Sequence, residues 1–553
     1  MKIKSLIRHY LFILFFTILT LFVVGYRFGD GDQNSHIPFL LKTINSDYYP
    51  NNTFIELRND HYSYFRALLT IPIKYQLITI ENLFFVLFFL SLFLLFESYY
   101  QLLNIFVKNE KISLLSLIVF IIPVFSFTVF PTHENYLVDR FFAFPFLIFS
   151  IVLYLKSKYK YSLLLLGIIF NFHPLSATFV LVMFFISFMI DFFKKKLDLS
   201  KILNSIFIFM LFSLPVNLWK FRNSGLDLTI RWDWYNVVSK GVLWHVFHVF
   251  SINPPTIILT ILGLGNTFVF VWLIKNSDII PGLKRKLKSF FVAIYIILFA
   301  GIVTAEFLPV TTAIQFQLIR VGVFVPVLTY PFFIGYLYRQ YCNNKISWRK
   351  FLNTLIITSI SGCLLIPFVY FNNTFKKKFH LRNILIIINI FLVIIVMIIV
   401  NKFDIWKPGI FISPIKNSWY EVQIWAKNNT QINDIFITPA DKWSHYLSDF
   451  LMFSQRSSVV TLGELFEIAF FPDYIDNWEE RFEDVVPGAI AQFNGNFADN
   501  RIIVSNIYNK NTTDDFLRIS HKYDAKYVII EKPKRLDLPL VYENSDYLIY
   551  NLE

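Results

Sequence analysis

The chain has 553 residues, 56% of them hydrophobic, 19% aromatic and only 16% charged, with a mean hydropathy of +0.53. A soluble domain carries about a quarter charged residues, so a purely aqueous fold is excluded and a polytopic α-helical membrane protein is expected. The net charge of +13 does not point to nucleic acid, because most Lys and Arg lie in short loops between apolar runs, where orientation determinants sit.

Apolar runs of the roughly 20 residues needed to cross a bilayer recur from residue 11 to residue 400. The basic start, Met1 to Tyr10, resembles a signal peptide, but no small-residue cleavage site precedes Gly29, so a retained first helix is expected. Lys2, Lys4 and Arg8 place the N-terminus in the cytoplasm. Spans then follow at about 11–26, 79–99, 112–130 and 140–156. Residues 161–193 are too long for one crossing and read as a hairpin whose tip is Asn171-Phe172-His173-Pro174. Further spans fall at about 202–219, 256–275, 289–305, 321–338, 350–371 and 383–400. Strict counting gives twelve spans and a cytoplasmic C-terminus, whereas Lys376-Lys377-Lys378 and Arg382 beside the last helix favour an outer one, with either a thirteenth span or one re-entrant segment. The expected organisation is a transmembrane domain, 1–403, with outer loops 27–78, 131–139 and 220–253, followed by a soluble α/β domain, 404–553, on the extracytoplasmic side of the cell membrane.

Chemistry is expected in the outer loops. Asp30 and Asp32 lie just beyond the first span, and the Asp32-Gln33 step before His36-Ile37-Pro38 reads as a carboxylate at a helix N-terminus, which favours ionisation. Such a group can act as general base or ligate a divalent cation. The second loop, Pro131 to Asp139, supplies Glu134 or Asp139 as a second acid, and Arg140 offers a donor fork suited to phosphate. Arg320 at a membrane edge is costly unless it pairs or snorkels and is the first candidate for a lipid pyrophosphate or phosphate contact. Gln317 and His173 join it as candidate donor contacts. If a metal is bound, Asp32 and Glu134 are the expected ligands. Trp232 and Trp234 could stack on a sugar ring, and His245 and His248 share a helical face without a neighbouring carboxylate, which argues against a metal site there.

In the C-terminal part, Trp419 to Asn429 reads as an amphipathic helix. Asp434 to Thr438, Arg501 to Ser505 and Lys526 to Glu531 read as strands, and Leu540 to Tyr542 with Tyr547 to Asn551 as a closing hairpin. No Gly-rich phosphate loop, serine elbow or metal spacing occurs there.

The two acidic loops, Asp139-Arg140-Phe141-Phe142-Ala143-Phe144-Pro145, the Gly167 to Pro174 stretch, and Trp425, Asn429-Thr430 and Phe436-Ile437-Thr438-Pro439 together resemble an uncharacterised family of bacterial multipass proteins with a C-terminal domain of unknown function. That family is similar in architecture to the C-type glycosyltransferase superfamily. The resemblance covers most of the chain. It implies a sugar donor on a polyprenyl phosphate or pyrophosphate, a glycan, lipid or protein acceptor, and acids in the first and second outer loops. Asp32 or Asp30 matches the first acid, Glu134 or Asp139 the second, and Arg320 a donor-phosphate ligand by placement. Gly31 separates Asp30 from Asp32, so either could be the base, with Asp32 preferred. The rival expectations are a transporter or flippase of lipid-linked saccharides and a non-catalytic component of surface-polysaccharide assembly.

Overall fold

The computed structural model describes residues 3–58, 62–128, 130–223, 227–242, 246, 248–250, 254–361, 364–372, 408–443 and 447–553. His245, the basic run Lys376 to Lys378 with Arg382, and the expected span 383–400 lie outside the described residues. Among those described, six helical stretches are long and apolar enough to cross a membrane, by length and composition: Lys4–Val24, Ile80–Val107, Pro174–Phe193, Thr256–Asn276, Pro281–Glu306 and Thr311–Cys342. A seventh arises if Leu199–Phe212 and Leu214–Arg222, bent by 66°, form one span.

In chain order the helices are α1 (Ile3–Val24), α2 (Gln33–Ile44), α3 (Thr53–Glu56), α4 (Tyr64–Lys74), α5 (Ile80–Val107), α6 (Glu110–Leu115), α7 (Asp139–Leu155), α8 (Tyr159–Phe170) and α9 (Pro174–Phe193). They continue with α10 (Leu199–Phe212), α11 (Leu214–Asn223), α12 (Trp232–Gly241), α13 (Pro254–Asn276), α14 (Pro281–Glu306), α15 (Thr311–Gln315), α16 (Phe324–Cys342), α17 (Trp348–Ser361) and α18 (Leu365–Phe371). The α8–α9 hairpin turns at the expected tip: Pro174 opens α9, and the His173 imidazole accepts the Ser176 N–H at 3.2 Å. Twelve of the seventeen residues of α7 are buried, which makes it an interior helix.

The expected span at 112–130 is not a continuous helix. The chain runs from α6 through a 3₁₀ turn, Ser116–Phe120, and is then irregular over the described residues 121–128 and 130–138. Pro123 and Pro131 remove amide donors and exclude helical backbone before them, and the β-branched and aromatic residues between have weak helix propensity. Irregular backbone in an apolar layer must find partners inside the protein. Here Phe127 N–H donates to the Leu259 carbonyl at 3.1 Å, Thr132 N–H to Val124 at 3.1 Å, and the His133 imidazole to Ile121 at 3.2 Å. A side chain at Gly263 would collide with the Phe127 ring, so glycine there lets the segment approach α13.

The C-terminal region holds a five-stranded sheet built from β3 (Ile435–Ile437), β4 (Ser457–Ser458), β5 (Ala525–Glu531), β6 (Leu540–Glu543) and β7 (Tyr547–Asn551), in the order β4-β3-β5-β7-β6. β3 runs parallel to β4 and β5, and β7 is antiparallel to β5 and β6 with Val528 opposite Tyr550. Side chains alternate between two cores, as strand geometry requires. Phe436, Ile529 and Ile549 face Trp419 and Val422 of helix Ser418–Asn429, whereas Ile437, Val528, Ile530 and Leu548 share the opposite core with Phe516 and Ile519. The segment expected as a strand, Arg501 to Ser505, lies instead inside the helix Phe497–Tyr508. Asn496 caps that helix by accepting the Ala498 N–H at 3.1 Å, and Val504 and Tyr508 point one turn apart into the core.

This region packs directly on the first and third loops. Phe39, Tyr49, Phe54, Ile55 and Trp234 belong to the same buried cluster as Leu451, Leu465, Ile468 and Trp478. A short parallel pair, β1 (Tyr26–Arg27) with β2 (Ile410–Phe411), joins the end of α1 to the start of the C-terminal region. The C-terminal region therefore lies on the side that carries the loops 27–78 and 220–253.

Candidate functional site

The turn between β1 and α2 carries the first acids. Gly31 has φ +53°, and a Cβ there would meet the Tyr136 ring, so only glycine lets the turn lie on the second loop. Two buried amides follow. Gln33 accepts the Gly29 N–H at 2.7 Å and donates to the Leu137 carbonyl at 2.8 Å. Asn34 donates to the Gly31 carbonyl at 3.0 Å and accepts the Asp449 N–H at 2.8 Å. The peptide before Asp32 is thereby tied both to the second loop and to the C-terminal region.

Asp32 occupies the N-cap position of α2, but its side chain makes no capping bond. This corrects the expectation that helix amides hold its charge. Instead its Oδ2 accepts from Arg140 Nη1, the second residue of α7. The same guanidinium donates through Nε at 3.0 Å and Nη2 at 2.6 Å to Glu134, and through Nη2 at 3.2 Å to the Tyr136 hydroxyl. One arginine therefore bridges the acids of both loops, using its planar fork. Arg140 and Glu134 side chains are 13% and 10% exposed, and Asp32 is 30% exposed, which makes Asp32 the acid that a ligand reaches. Its second oxygen has no hydrogen bond among the described residues.

Electrostatics separates the two carboxyls. Burial raises the Asp32 carboxyl, but Arg140, His36 and Arg320 outweigh it and hold the group well below the usual carboxylate range. Burial dominates at Glu134 and pushes it up despite Arg140. The environments of the two carboxyls therefore push them in opposite directions.

Arg320 lies in the 3₁₀ turn Leu318–Val323 between α15 and α16. Its guanidinium stacks 3.8 Å from the centroid of Phe130, and that of Arg140 lies 4.9 Å from the same ring. It has no carboxylate within ion-pair distance among the described residues, and its Nε is buried without a hydrogen-bond partner. Its charge nevertheless reaches Asp32 and Glu134.

Of the candidate residues, Asp32, Glu134, Asp139, Arg140, His173 and Arg320 gather in one electrostatically linked group. Asp139 accepts the Arg140 backbone N–H at 2.7 Å. Two candidates stand differently. Asp30 is 1% exposed, lies 3.4 Å from Arg27 and accepts the Gly31 N–H, a structural position. Gln317 is buried in left-handed backbone, and its carbonyl accepts the Arg320 N–H at 2.9 Å, closing the turn beneath that residue. Trp234 is fully buried and donates to the Ile468 carbonyl at 2.9 Å, so it holds an interface and is not open to a sugar. His248 pairs with Glu306 at 3.2 Å. As to a metal on Asp32 and Glu134, no group of three or more His, Cys, Asp or Glu side chains could hold one among the described residues, and the guanidinium occupies the place between the two carboxylates.

Sequence reasoning missed Phe130, Tyr136, Gln33 and Asn34. Tyr136 lies two residues after Glu134 in an already acidic loop, and that proximity was the available signal. No protein-family model matches the sequence, and no curated protein matches it.

Proposed function

We propose that the protein is a multi-pass cell-membrane glycosyltransferase that takes a sugar from a polyprenyl-phosphate donor and passes it to a glycan, lipid or protein acceptor at the outer face. The observation that carries the reading is an ionised, partly exposed Asp32 with a free oxygen, set beside an arginine that lacks a carboxylate partner. In this scheme the acceptor hydroxyl oxygen bonds to the anomeric carbon as the bond from that carbon to the phosphate oxygen breaks. The acceptor proton passes to Asp32, and Arg320 neutralises the departing lipid phosphate. Arg140 keeps Asp32 ionised and in place, and acceptor binding has to loosen its grip for Asp32 to take the proton.

Large apolar side chains left exposed along α1, α10, α13 and α14, such as Phe22, Phe207, Ile261 and Phe299, support a lipid environment. The basic N-terminus sets the loop face outward, and the C-terminal region, packed on those loops, is then extracytoplasmic.

The test is sugar incorporation from a radiolabelled polyprenyl-linked donor. Asp32→Asn should lose about 100-fold or more of turnover in a variant that still folds; full activity in that variant would remove Asp32 as the base. A second reading, a flippase of lipid-linked saccharides, is favoured by the largely buried irregular backbone at 121–128 and 130–138, since broken backbone is common in transporters. Translocation in proteoliposomes without incorporation would select it.

A further inference from the structure

We propose that the C-terminal region carries a saccharide-binding site of its own, at the carboxyl ends of β3 and β5, and that its ligand is an acidic sugar. The site shares no residue with the Asp32 group and stands whether or not Asp32 is a base.

Parallel β3 and β5 are neighbours, with Ile437 opposite Val528, but from β3 the chain goes first to β4 on the other flank. Past the carboxyl ends of strands whose connections leave in opposite directions a crevice opens, and small ligands favour it. Residues 438–442 leave β3 there, and residues 532–534 leave β5. Tyr508 bridges the two strands at this end, donating to the Ile529 carbonyl at 2.7 Å. Its helix stops at that point, which brings residues 509–513 to the same edge. Those residues and the exit of β5 line an open cavity of about 720 Å³, within the range of about 300–1,000 Å³ for small-molecule sites.

Behind the cavity lies a buried polar floor. Lys442 Nζ donates to Asp441 Oδ2 at 3.1 Å and pairs with Glu531, Arg501 lies 3.9 Å from Asp441, and Asn509 Nδ2 donates to Glu531 Oε2 at 3.4 Å. Arg501 matches Asp441 and Lys442 matches Glu531, so the floor is neutral. A purely structural ion-pair network would also satisfy its remaining polar atoms. Here Thr438 Oγ1 and Asp441 Oδ1, on residues 2% and 5% exposed, and Asn509 Oδ1 have no hydrogen-bond partner among the described residues. Folded proteins leave few buried polar atoms in that state, and three at one strand edge are acceptors for the hydroxyls of a ligand.

The wall of the cavity is cationic, formed by Lys510, Lys532, Lys534 and Arg535. Glu543 answers Lys532 at 2.7 Å and Arg535 at 3.1 Å, and Asp515 lies within electrostatic reach of Lys534. With every charge counted once, these four cations face two acids, which leaves an excess that attracts an anion. A sugar acid meets both halves: its carboxylate faces the wall, and its hydroxyls donate to Glu531 and Asn509 at the floor. A nucleotide fits less well. No aromatic ring lines the cavity for a base to stack on among the described residues, and neither 438–442 nor 531–534 contains the glycines that let backbone approach a pyrophosphate.

The experiment is calorimetric titration of the purified full-length protein in phosphatidylcholine nanodiscs with four probes: trigalacturonate, the neutral trisaccharide maltotriose, inorganic phosphate and uridine diphosphate. Trigalacturonate should bind at least about tenfold more tightly than each of the others, and more weakly as salt rises. Its affinity should fall about tenfold when Lys510→Gln and Lys532→Gln are combined, and be largely kept when both become Arg. In the wild type, saturation with trigalacturonate should slow amide exchange in 509–513 and 531–536, a readout that needs no variant to fold. Binding in Asp32→Asn should equal wild type, so the two sites are tested separately; a loss there would place the probe at the Asp32 group and overturn the proposal. No binding of trigalacturonate, maltotriose or phosphate binding as tightly, a preference for uridine diphosphate, unchanged affinity in the folded double Gln variant, or slowed exchange only outside the two segments would each overturn it.

Discussion

Replacing Arg140 by Met separates the two roles that its guanidinium combines, packing against Phe130 and neutralising two acids. Methionine keeps much of the apolar stem but leaves Glu134 and Asp32 without their cation. Removing one partner of a buried ion pair costs about 3–5 kcal/mol. Glu134, 10% exposed, bears most of this, whereas Asp32, 30% exposed, is partly screened by water. Glu134 is already pushed upward by burial, so it escapes the penalty by taking up a proton, and a net loss of about 2–4 kcal/mol at neutral pH is expected. The sign with pH follows from linkage. In the wild type the Asp32 carboxyl is depressed, so its contribution is present above the ordinary carboxylate range and fades as pH falls through the depressed value. In the variant both carboxyls are raised, so the protein loses stability as pH rises through them. Melting of detergent-purified protein, followed by intrinsic fluorescence, should show a deficit of several degrees at pH 8 that shrinks clearly at pH 5. Arg140→Lys, a point charge without the fork, should fall between. A deficit equal at both pH values, or none at pH 8, would refute the account of Arg140 as the neutralising bridge.

Gly31→Ala should destabilise by about 2 kcal/mol or more, from left-handed strain and collision with Tyr136; the double variant Gly31→Ala with Tyr136→Ala, compared with Tyr136→Ala alone in the same melt, should show a smaller cost because the clash is gone. Asp449, which accepts Leu451 N–H and Thr461 Oγ–H at 3.0 Å each, is pushed by burial to about 7. Its stabilising contribution is complete below the usual carboxylate range and is lost as pH rises through about 7. Asp449→Asn should therefore melt higher than wild type at pH 8, by at most about 4 kcal/mol of stability at 1.36 per pH unit, and no higher at pH 4; a difference independent of pH would count against a buried titrating carboxyl.

Local chemistry made several elements legible in the sequence. The Asn171 to Pro174 tip follows from an over-long apolar run with a proline that can only open a helix. The helix Ser418–Asn429 and the β6–β7 hairpin follow from periodicity and the Asn544-Ser545 turn. Residues 112–130 misled because hydropathy averages over Pro123 and Pro131, and composition cannot tell a lipid-facing helix from an irregular strip buried among other helices. Arg501 to Ser505 misled because its β-branched run outweighed the Asn496 cap, whereas in the folded chain the burial of Val504 and Tyr508 overrides propensity.

At the site, the sequence alone determined which residue types flank the spans: acids after the first, acids and Arg140 at the second loop, Arg320 at a later edge. Only tertiary structure decided their pairing. Asp30 and Asp32 are two residues apart and equivalent in composition, yet the backbone at Gly31 sends one to Arg27 and the other to Arg140, 108 positions away. Likewise nothing local to Asn34 announces its bond to Asp449, 415 positions further on. Which cation meets which carboxylate, and which cation is left for a ligand, depends on distances of a few ångströms between distant segments, and those distances exist only once the chain has packed.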